Sequence, residues 1–330
     1  MKPHAIAFAA VALALPLQGC DSGLLNVTDP DIILSANSLS GALALKNGVL
    51  FRLEQTIGGV QGGPEALFMY GGLITDEWRS GDTFVQRNNE DQRIWEPQNT
   101  FNPGAYRGLN RVRVEASNAI AALRQYAPDS TFYVGQMFAV TAYVETLIGE
   151  HYCNGTPLST VEGANIVYGD PLTNDSVFGL AAANADSALA NRAGRDSIRI
   201  RNLASVIKGR ALLDRGQYAA AAAAVAGVPD TFKYQVTYSI NSASNQIWSL
   251  NNSAKRYTMV DREGTNGLNF ISANDPRVPR RIGPATDLIF DSAFPLPVTR
   301  QGIWGRASSI TIVSGVEERL IEVGERDVLF

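Results

Sequence analysis

The stretch of residues 74–100 carries the side chains best suited to binding a ligand. It reads ITDEWRSGDTFVQRNNEDQRIWEPQNT, and two tryptophans stand in it among carboxylates, amides and arginines. An aromatic ring can stack on the C–H face of a sugar, while polar side chains hydrogen-bond to its hydroxyl groups. The pattern therefore predicts a sugar-binding surface whose candidate contacts are Asp76, Trp78, Arg79 and Trp95. In the alternative interpretation both tryptophans fill the helical core from outside, because large aromatic side chains are usually well buried.

Carboxylates in the same stretch raise the alternative of a glycoside hydrolase, which needs two carboxylates on opposite sides of a sugar. Asp76 and Glu77 form one adjacent pair. Glu90 and Asp91 form another, but adjacency in sequence does not place two carboxylates across a site. The chain contains neither G-x-S-x-G nor H-E-x-x-H. We therefore expect a protein that is not an enzyme, with no catalytic residue and no cofactor.

A second group of chemically capable side chains could in principle hold a metal ion. Its members are Glu145, Glu150, His151 and Cys153. Their spacing matches no zinc-binding pattern, and a histidine near a helix end is more often a surface or capping residue. We therefore expect no metal site. The chain has two cysteines, one of which directly follows the leader described below, so no internal disulfide framework is predicted.

The composition is that of a globular, mildly acidic protein. Of the 330 residues, 45% are hydrophobic and 18% are charged, which allows a sizeable core and argues against wholesale disorder. The formal net charge is −4, and removal of residues 1–19 takes away one lysine and no acid, which leaves −5. A nucleic-acid-binding surface needs a basic patch, so we expect no nucleic-acid partner.

The N-terminus has the pattern of a lipoprotein signal peptide. Lys2 is followed by the apolar run Ala5–Leu17, which is too short to serve as a stable membrane span. The sequence LQGCD at 17–21 then resembles the bacterial lipobox, in which the cysteine is lipidated and the chain is cleaved before it. We predict a signal peptide at 1–19, lipidation at Cys20 and a tether at 20–34. The alternative is an ordinary cleaved signal with an incidental cysteine, and Asp21 leaves open the choice between inner and outer membrane.

Apolar residues at helical spacing predict a series of helices in one domain that spans residues 35–330. The predicted starts are Ser35, Glu65, Asn102, Phe132 and a cap at Asp175 or Ser176. The first helix should turn four apolar side chains inward: Leu39, Leu43, Leu50 and Phe51. The third should bury one face: Leu109, Val112, Ala116, Ala119, Ile120 and Leu123. The glycine-rich residues 58–64 lack the lysine and Ser/Thr of a phosphate loop and predict a plain loop.

Residues Arg199–Pro229 predict a helical hairpin. Its two segments meet at Gly216, a residue type suited to the left-handed conformation at a helix end. Alanine, the best helix former, fills positions 219–224. We expect Tyr218 to fill the wedge between the two helices. Small residues around G-x-Y are typical of a tetratricopeptide (TPR) repeat, with an ordinary alanine-rich hairpin as the alternative.

After this hairpin the helical pattern stops. Phe232–Ser239 alternates enough to predict a short strand, whereas residues 240–310 are rich in Asn, Ser, Gly and Pro and predict irregular structure with turns at 274–276 and 283–284. Ile310–Glu322 predicts the beginning of a late helix. The fold class is therefore mainly α, with TPR-like helical hairpins and long, irregular, loop-rich insertions.

Several stretches together resemble the SusD/RagB family of nutrient-binding lipoproteins. They are TFYVGQMFAVTAYVETLIGEHYCNGTPLS at 131–159, DSVFGLAAANADSALANRA at 175–193, RNLASVIKGRALLDRGQYAAAAAAVAGV at 201–228, NDPR at 274–277 and SGVEERLIE at 314–322. Their order and spacing behind a lipobox carry the likeness. Family members usually continue the late helix and add a further hairpin, so we expect the C-terminal part of the family domain to be missing.

This resemblance implies a cell-surface protein of the outer membrane, held by its lipid anchor. Such a protein captures oligosaccharides, or peptides, and passes them to a SusC-like TonB-dependent transporter without chemical change. The resemblance also implies that the hairpin Arg199–Pro229 is scaffold, with its exposed side as a seat for the transporter. The alternative is a TPR-type adaptor for protein partners, which would need several repeats about 34 residues apart. Long loops interrupt the helices here and disfavour it.

Overall fold

The structure is a computed structural model that describes residues 36–59, 66–99, 101–162, 165–191, 193–241, 244–263, 267–275, 280–282, 299–301 and 309–314. All of these fall within one compact unit. The predicted signal peptide, Cys20 and the tether lie outside the described residues. So do most of the glycine-rich stretch 58–64 and the predicted turn at 283–284.

Six helices form the body of the fold. They are α1 (Leu39–Ile57), α4 (Asn102–Tyr126), α5 (Thr131–His151), α6 (Asn174–Ala190), α7 (Ser197–Asp214) and α8 (Tyr218–Val225). Each packs on the next in this order, and α5 also packs on α7. Two further short helices, α2 (Leu67–Ile74) and α3 (Val85–Asp91), lie between α1 and α4 in sequence. The prediction of a mainly α fold is confirmed.

Helix α5 is buried on most of its circumference because it contacts helices on several sides. Its one fully buried acid, Glu145, accepts hydrogen bonds from Arg113 Nε at 3.2 Å and from Asn184 Nδ2 at 2.7 Å. Burial raises the pKa of Glu145, while the Arg113 guanidinium opposes that rise. These contacts tie α4, α5 and α6 together through one carboxylate, since a buried charge is costly unless it is paired.

The N-terminal caps differ from those predicted. Helix α1 begins after Ser38, whose hydroxyl accepts a hydrogen bond from the Gly41 amide at 3.1 Å, and Ser35 lies outside the described residues. Helix α6 is capped by Thr173 rather than by Asp175 or Ser176. Several residues at each site could accept the bond, and the backbone direction before the helix decides which one does.

The predicted apolar face of α4 is confirmed, whereas that of α1 is partly wrong. In α1 the buried positions include Val49, Leu53 and Ile57. Leu39, the first residue of the helix, is 50% exposed. Phe51 is 43% exposed because it lies two positions, about 200° of helical rotation, from buried Leu53.

The predicted hairpin is confirmed as α7 and α8, which meet at Gly216 with φ of 69°. The residues that close the wedge differ from the prediction. Tyr218 is only half-buried, and Ala221 and Val225 are buried instead. They belong to a small apolar cluster that also contains Phe178, Ala182, Ala211 and Leu212.

The late segment that begins at Ile310 is a strand, so the prediction of a helix is wrong in the described part. Strand β6 (Lys233–Val236) pairs antiparallel with β10 (Ile310–Ser314), with Ile310 opposite Val236. Buried Tyr234 and Val236 lie on the ladder with buried Ile310 and Val313, so burial of apolar side chains through strand pairing outweighs the helical pattern. Residues 315–322 lie outside the described residues.

The remaining strands of the described residues form short two-stranded pairs, and the prediction of a loop-rich region at 240–310 is confirmed for the parts of it that the structure describes. They are β1 (Trp78–Ser80) with β7 (Tyr257–Met259), β2 (Thr156–Pro157) with β5 (Pro171–Leu172), β3 (Thr160–Glu162) with β4 (Asn165–Val167), and β8 (Arg280–Ile282) with β9 (Thr299–Gln301). A short helix, α9 (Gln246–Trp248), continues as a π-helical turn at Ser249–Ser253. None of the helices within the described ranges is both long and apolar enough to cross a membrane.

Candidate ligand-binding site

The polar stretch 74–99 is an ordered part of the fold because buried ion pairs hold it. Strand β1 pairs with β7, which lies almost 180 residues further along the chain. Next to this ladder Asp82 is buried and binds Arg87 Nη1 at 2.5 Å and also Arg256 Nη1. The Arg87 guanidinium lies 4.7 Å above the ring of Phe84. Two guanidiniums on one carboxylate compensate its desolvation and join the two distant segments.

Trp78 lies in the core, as the alternative interpretation predicted, with 3% of its surface exposed. Its indole lies against α2 at Gly72, where a Cβ atom would stand 2.1 Å from Trp78 Cδ1. Only glycine permits this approach, since real Cβ contacts are not so short. Trp78 therefore has no open face on which a sugar ring could stack.

Trp95 takes the opposite position and is 76% exposed. It follows α3 in the segment that leads to α4, next to Ile94, which is 46% exposed. A large ring that stays in water on a globular protein is available for stacking. Of the two predicted tryptophans, Trp95 alone has a ring face open to a ligand.

Asp76 and Arg93 form an ion pair between two strained residues. Both have left-handed backbone, with φ of 61° and 56°. Arg93 Nη2 donates to Asp76 Oδ1 and to the Ile74 carbonyl oxygen, each at 2.7 Å. Backbone strain of this kind costs about 1–3 kcal/mol for each residue and is concentrated at functional sites. The pair places the carboxylate of the predicted contact Asp76 against a guanidinium.

Arg79, another predicted contact, joins a group of carboxylates around β1. Its Nε lies 3.2 Å from Glu263 Oε1. Asp91 Oδ2 accepts a hydrogen bond from the Ser80 amide at 3.1 Å. Burial raises the pKa of Asp91 to about 6, and burial together with the Asp91 charge raises that of Glu263 to about 7. Asp76 contributes to both shifts, so the structure brings Asp76 and Arg79 into one electrostatic group.

A cleft of about 510 Å³ opens beside Trp78, and we name it the α2 cleft. It is lined by Phe68, Gly71, Gly72, Ile74, Thr75, Glu77, Trp78, Glu150, His151 and Ile247. The lining combines an apolar wall with a few polar groups, and the volume lies in the range of small-molecule sites. It brings together α2, the start of β1, the end of α5 and α9.

The polar end of the α2 cleft comes from α5. His151 Nδ1 lies 3.0 Å from the Leu147 carbonyl oxygen, which can only accept, so Nδ1 carries the proton. In the neutral ring Nε2 is then an acceptor, and it lies beside Gly71. Glu150 accepts two hydrogen bonds from Arg210, at 2.5 Å and 2.6 Å. Burial and the Glu150 charge raise the pKa of Asp214 to about 7.

The four residues considered for a metal ion do not converge. Glu145 is bound to Arg113, Glu150 to Arg210, and Cys153 is exposed. Within the part of the chain that the structure describes, no group of three or more His, Cys, Asp or Glu could hold a metal ion.

Comparison with solved structures identifies the fold. The chain is similar to a SusD/RagB family protein from Bacteroides thetaiotaomicron, with 14% identity and a TM-score of 0.65 over 85% of this chain and 66% of that one. It is also similar to a SusD-like carbohydrate-binding protein from Bacteroides vulgatus, with 13% identity and a TM-score of 0.62 over 89% and 72%. A SusD superfamily protein from Bacteroides fragilis gives 13% identity and a TM-score of 0.63 over 88% and 77%.

The chain has a SusD-like fold. No family model matches the sequence, and no curated protein sequence matches it. At 14% identity the likeness shows the fold alone, and the chain spans slightly less than two thirds of the B. thetaiotaomicron protein. The resemblance drawn from motif order is thus confirmed at the level of the fold.

On this SusD-like scaffold the sequence-based site is divided between two places. Asp76 and Arg79 lie in the carboxylate group at β1, while Trp78 forms part of the α2 cleft. The cleft residues Phe68, His151 and Ile247 were not predicted as a site. They come from three separate elements, and the only signal in the sequence was His151 in its unusual neighbourhood of acids.

We expect Trp78→Ala to destabilise the protein by about 3–5 kcal/mol, because it removes a large buried side chain from the core. Equilibrium unfolding in urea measures this difference. Trp95→Ala is the matched control, and its exposed position predicts a change within about 0.5 kcal/mol. Equal losses in the two variants would contradict the core position of Trp78.

We expect Asp91→Asn to make stability less dependent on pH. Because the pKa values of Asp91 and Glu263 are raised in the folded state, both groups contribute stability that is fully present below pH 4 and is lost as pH rises through about 6 and 7. Asparagine keeps an oxygen for the Ser80 amide and removes the charge. Relative to wild type, the variant should gain about 1 kcal/mol between pH 5 and pH 8, a value reduced for solvent screening.

Urea unfolding at the two pH values measures this gain. The control is Asp175→Asn, because the hydrogen bond from Arg215 lowers the pKa of exposed Asp175 and moves its titration below the window. A gain of the same size in both variants, or a loss in Asp91→Asn at pH 8, would contradict the assignment.

Proposed function

We propose that this SusD-like chain is a nutrient-binding lipoprotein that captures an oligosaccharide, or a peptide, without cleaving it. The observation that carries the proposal is the fold itself, shared over 89% of the chain with a structure described as a SusD-like carbohydrate-binding protein. Binding of this kind needs shape, stacking and hydrogen bonds rather than catalytic groups.

The exposed ring of Trp95 supports the ligand-binding part of the proposal. We place ligand contacts at Trp95, at the Asp76–Arg93 pair and at Arg79, which is 40% exposed at its side chain. The ring supplies stacking, and the guanidinium and carboxylate groups supply donors and acceptors for hydroxyl groups. Trp78 contributes from within, as a wall of the α2 cleft.

The lipobox supports the cellular part of the proposal. Lipidation of Cys20 would anchor the protein to the outer membrane with the tether 20–34 leading to the helical domain. There it would face the cell exterior and pass its ligand to a SusC-like TonB-dependent transporter. We place the transporter contact on the exposed side of the hairpin α7–α8, away from the ligand contacts in sequence.

The chain from residue 21 onward is expected to bind an oligosaccharide or peptide in a calorimetric screen and to leave it intact. Trp95→Ala should weaken that binding by about tenfold through loss of stacking. Tyr168→Ala, which removes another exposed ring (82% exposed), is the matched control and should leave affinity unchanged. Turnover of a bound ligand that is abolished by a carboxylate substitution would contradict a purely binding role.

Cys20→Ala is expected to release the protein from the membrane fraction, because the thiol that carries the lipid is lost. Fractionation of cells followed by immunodetection measures the distribution. Cys153→Ala is the matched control, since Cys153 is exposed and lies in the folded domain. If the Cys20→Ala protein stays with the membrane, the lipobox assignment is wrong.

A further inference from the structure

A second cleft, of about 370 Å³, lies along α4 and α5, and we name it the α4–α5 cleft. Its lining includes Arg113, Ser117 and Arg124 from α4, Phe138 and Glu145 from α5, and Asn184 from α6. Arg113 and Arg124 are the first and the last of the α4 residues that line it. They lie about three turns apart on one face of the helix, which separates their Cα atoms by about 16 Å. The cleft therefore follows α4 and has an arginine near each end.

Contacts within the fold fix Arg113 at one end of this cleft. Its Nε donates to Glu145, and its Nη1 lies 3.4 Å from Asn110 Oδ1 and 3.3 Å from the Ser159 carbonyl oxygen. The other carboxylate oxygen of Glu145 accepts a hydrogen bond from Asn184. Nη2 of Arg113 makes no hydrogen bond to any residue that the structure describes, so this nitrogen remains available to donate to a ligand.

Arg124, at the other end, keeps all of its N–H donors available. Its guanidinium lies 5.6 Å from the centre of the Phe138 ring, in a contact that holds the cation without a hydrogen bond. Among the described residues it has no ion-pair partner, because the acids of α4, α5 and α6 are paired with other cations. These pairs are Glu115–Arg52, Glu145–Arg113, Glu150–Arg210, Asp175–Arg215 and Asp186–Lys208.

The described lining of the cleft is positive whether or not Glu145 is ionised. Two arginines and one ionised glutamate sum to +1. Burial raises the pKa of Glu145, and protonation would leave +2. The lining therefore attracts an anion in either state. A guanidinium binds a carboxylate through paired N–H donors, so carboxylates match the two arginines well.

We infer, on the basis of the proposed function, that the α4–α5 cleft binds an acidic oligosaccharide through carboxylates on two of its sugar units, one at Arg113 Nη2 and the other at Arg124. Between the two arginines, Ser117 and Asn118 line the cleft and are exposed, so they can hydrogen-bond to sugar hydroxyl groups. The distance between the arginines along α4 favours a chain of sugars over a single sugar. This site adds to the ligand contacts proposed at Trp95.

Isothermal titration of the chain from residue 21 onward with three probes tests the inference. The probes are a trisaccharide of galacturonic acid, its methyl ester and a peptide of three aspartates. We expect the acidic trisaccharide to bind most tightly. The methyl ester has the same sugar rings without the charge, so it should bind about tenfold more weakly or worse. Added salt should weaken binding of the acidic trisaccharide and leave that of the ester unchanged.

Arg124→Gln should weaken binding of the acidic trisaccharide by about tenfold, through loss of a charged hydrogen bond, and leave that of the ester unchanged. Arg124→Lys keeps the charge without the paired N–H donors, so its affinity should fall between those of the wild type and Arg124→Gln. Arg111→Gln is the matched control, because Arg111 is an exposed arginine of the same helix and does not line the cleft. It removes the same charge and should leave affinity unchanged, and thermal unfolding should show all three variants folded.

Equal weakening in Arg124→Gln and Arg111→Gln would overturn the inference, because it would indicate general attraction by surface charge rather than a site. So would failure of the acidic trisaccharide to bind, an affinity that Arg124→Gln leaves unchanged, or tighter binding of the ester or of the peptide. In those cases the proposed function stands if any oligosaccharide binds in a way that depends on Trp95. Absence of binding to every oligosaccharide would overturn the proposed function and this inference together.

Discussion

The α2 cleft and the carboxylate group at β1 both depend on the close approach of Trp78 to Gly72. It joins α2, which belongs to the helical core, to β1, which begins the polar stretch. Burial of a large aromatic side chain contributes about 3 kcal/mol or more, enough to hold a short strand that two or three ladder bonds would not hold by themselves. Since β1 pairs with β7, the same contact also places the segment after residue 256. The wall of the α2 cleft and the carboxylate group at Arg79 thus share one support.

Once β1 is in place, its polar neighbours are partly removed from water, and the structure compensates their desolvation with ion pairs. Asp82 is the clearest case, because its carboxylate is bound by two arginines from segments far apart in sequence. Asp91 and Glu263 are compensated less completely. One oxygen of each is buried and makes no hydrogen bond within the described residues, and burial raises both pKa values. Incomplete compensation beside an exposed surface is more typical of a site than of a purely structural network.

Local patterns in the sequence were sufficient to predict most helices but not to predict the tertiary contacts between them. Gly216 was predicted correctly because a left-handed helix end is a local requirement, which glycine meets at no steric cost. Phe51 and Ile310 were predicted wrongly because each has a local pattern that tertiary packing overrides, through the neighbours of α1 in one case and pairing with β6 in the other. The stretch 74–99 was recognised as chemically distinctive, but the choice between buried Trp78 and exposed Trp95 depends on Gly72, and nothing in the local sequence links that glycine to either ring.

The fold and the lining of the α2 cleft are subject to different physical constraints. Core packing tolerates many sequences as long as the side-chain volume and the hydrophobic pattern are kept. The fold can therefore stay similar at 14% sequence identity. Side chains at the ends and edges of the helices are under little packing constraint, so they can vary while the fold is kept. Gly71 illustrates the difference from Gly72 one residue later. A side chain at Gly72 would displace Trp78 and so disturb the scaffold, whereas a side chain at Gly71 would change only the shape of the cleft. The shape of the α2 cleft can therefore change by substitutions that leave the SusD-like fold intact.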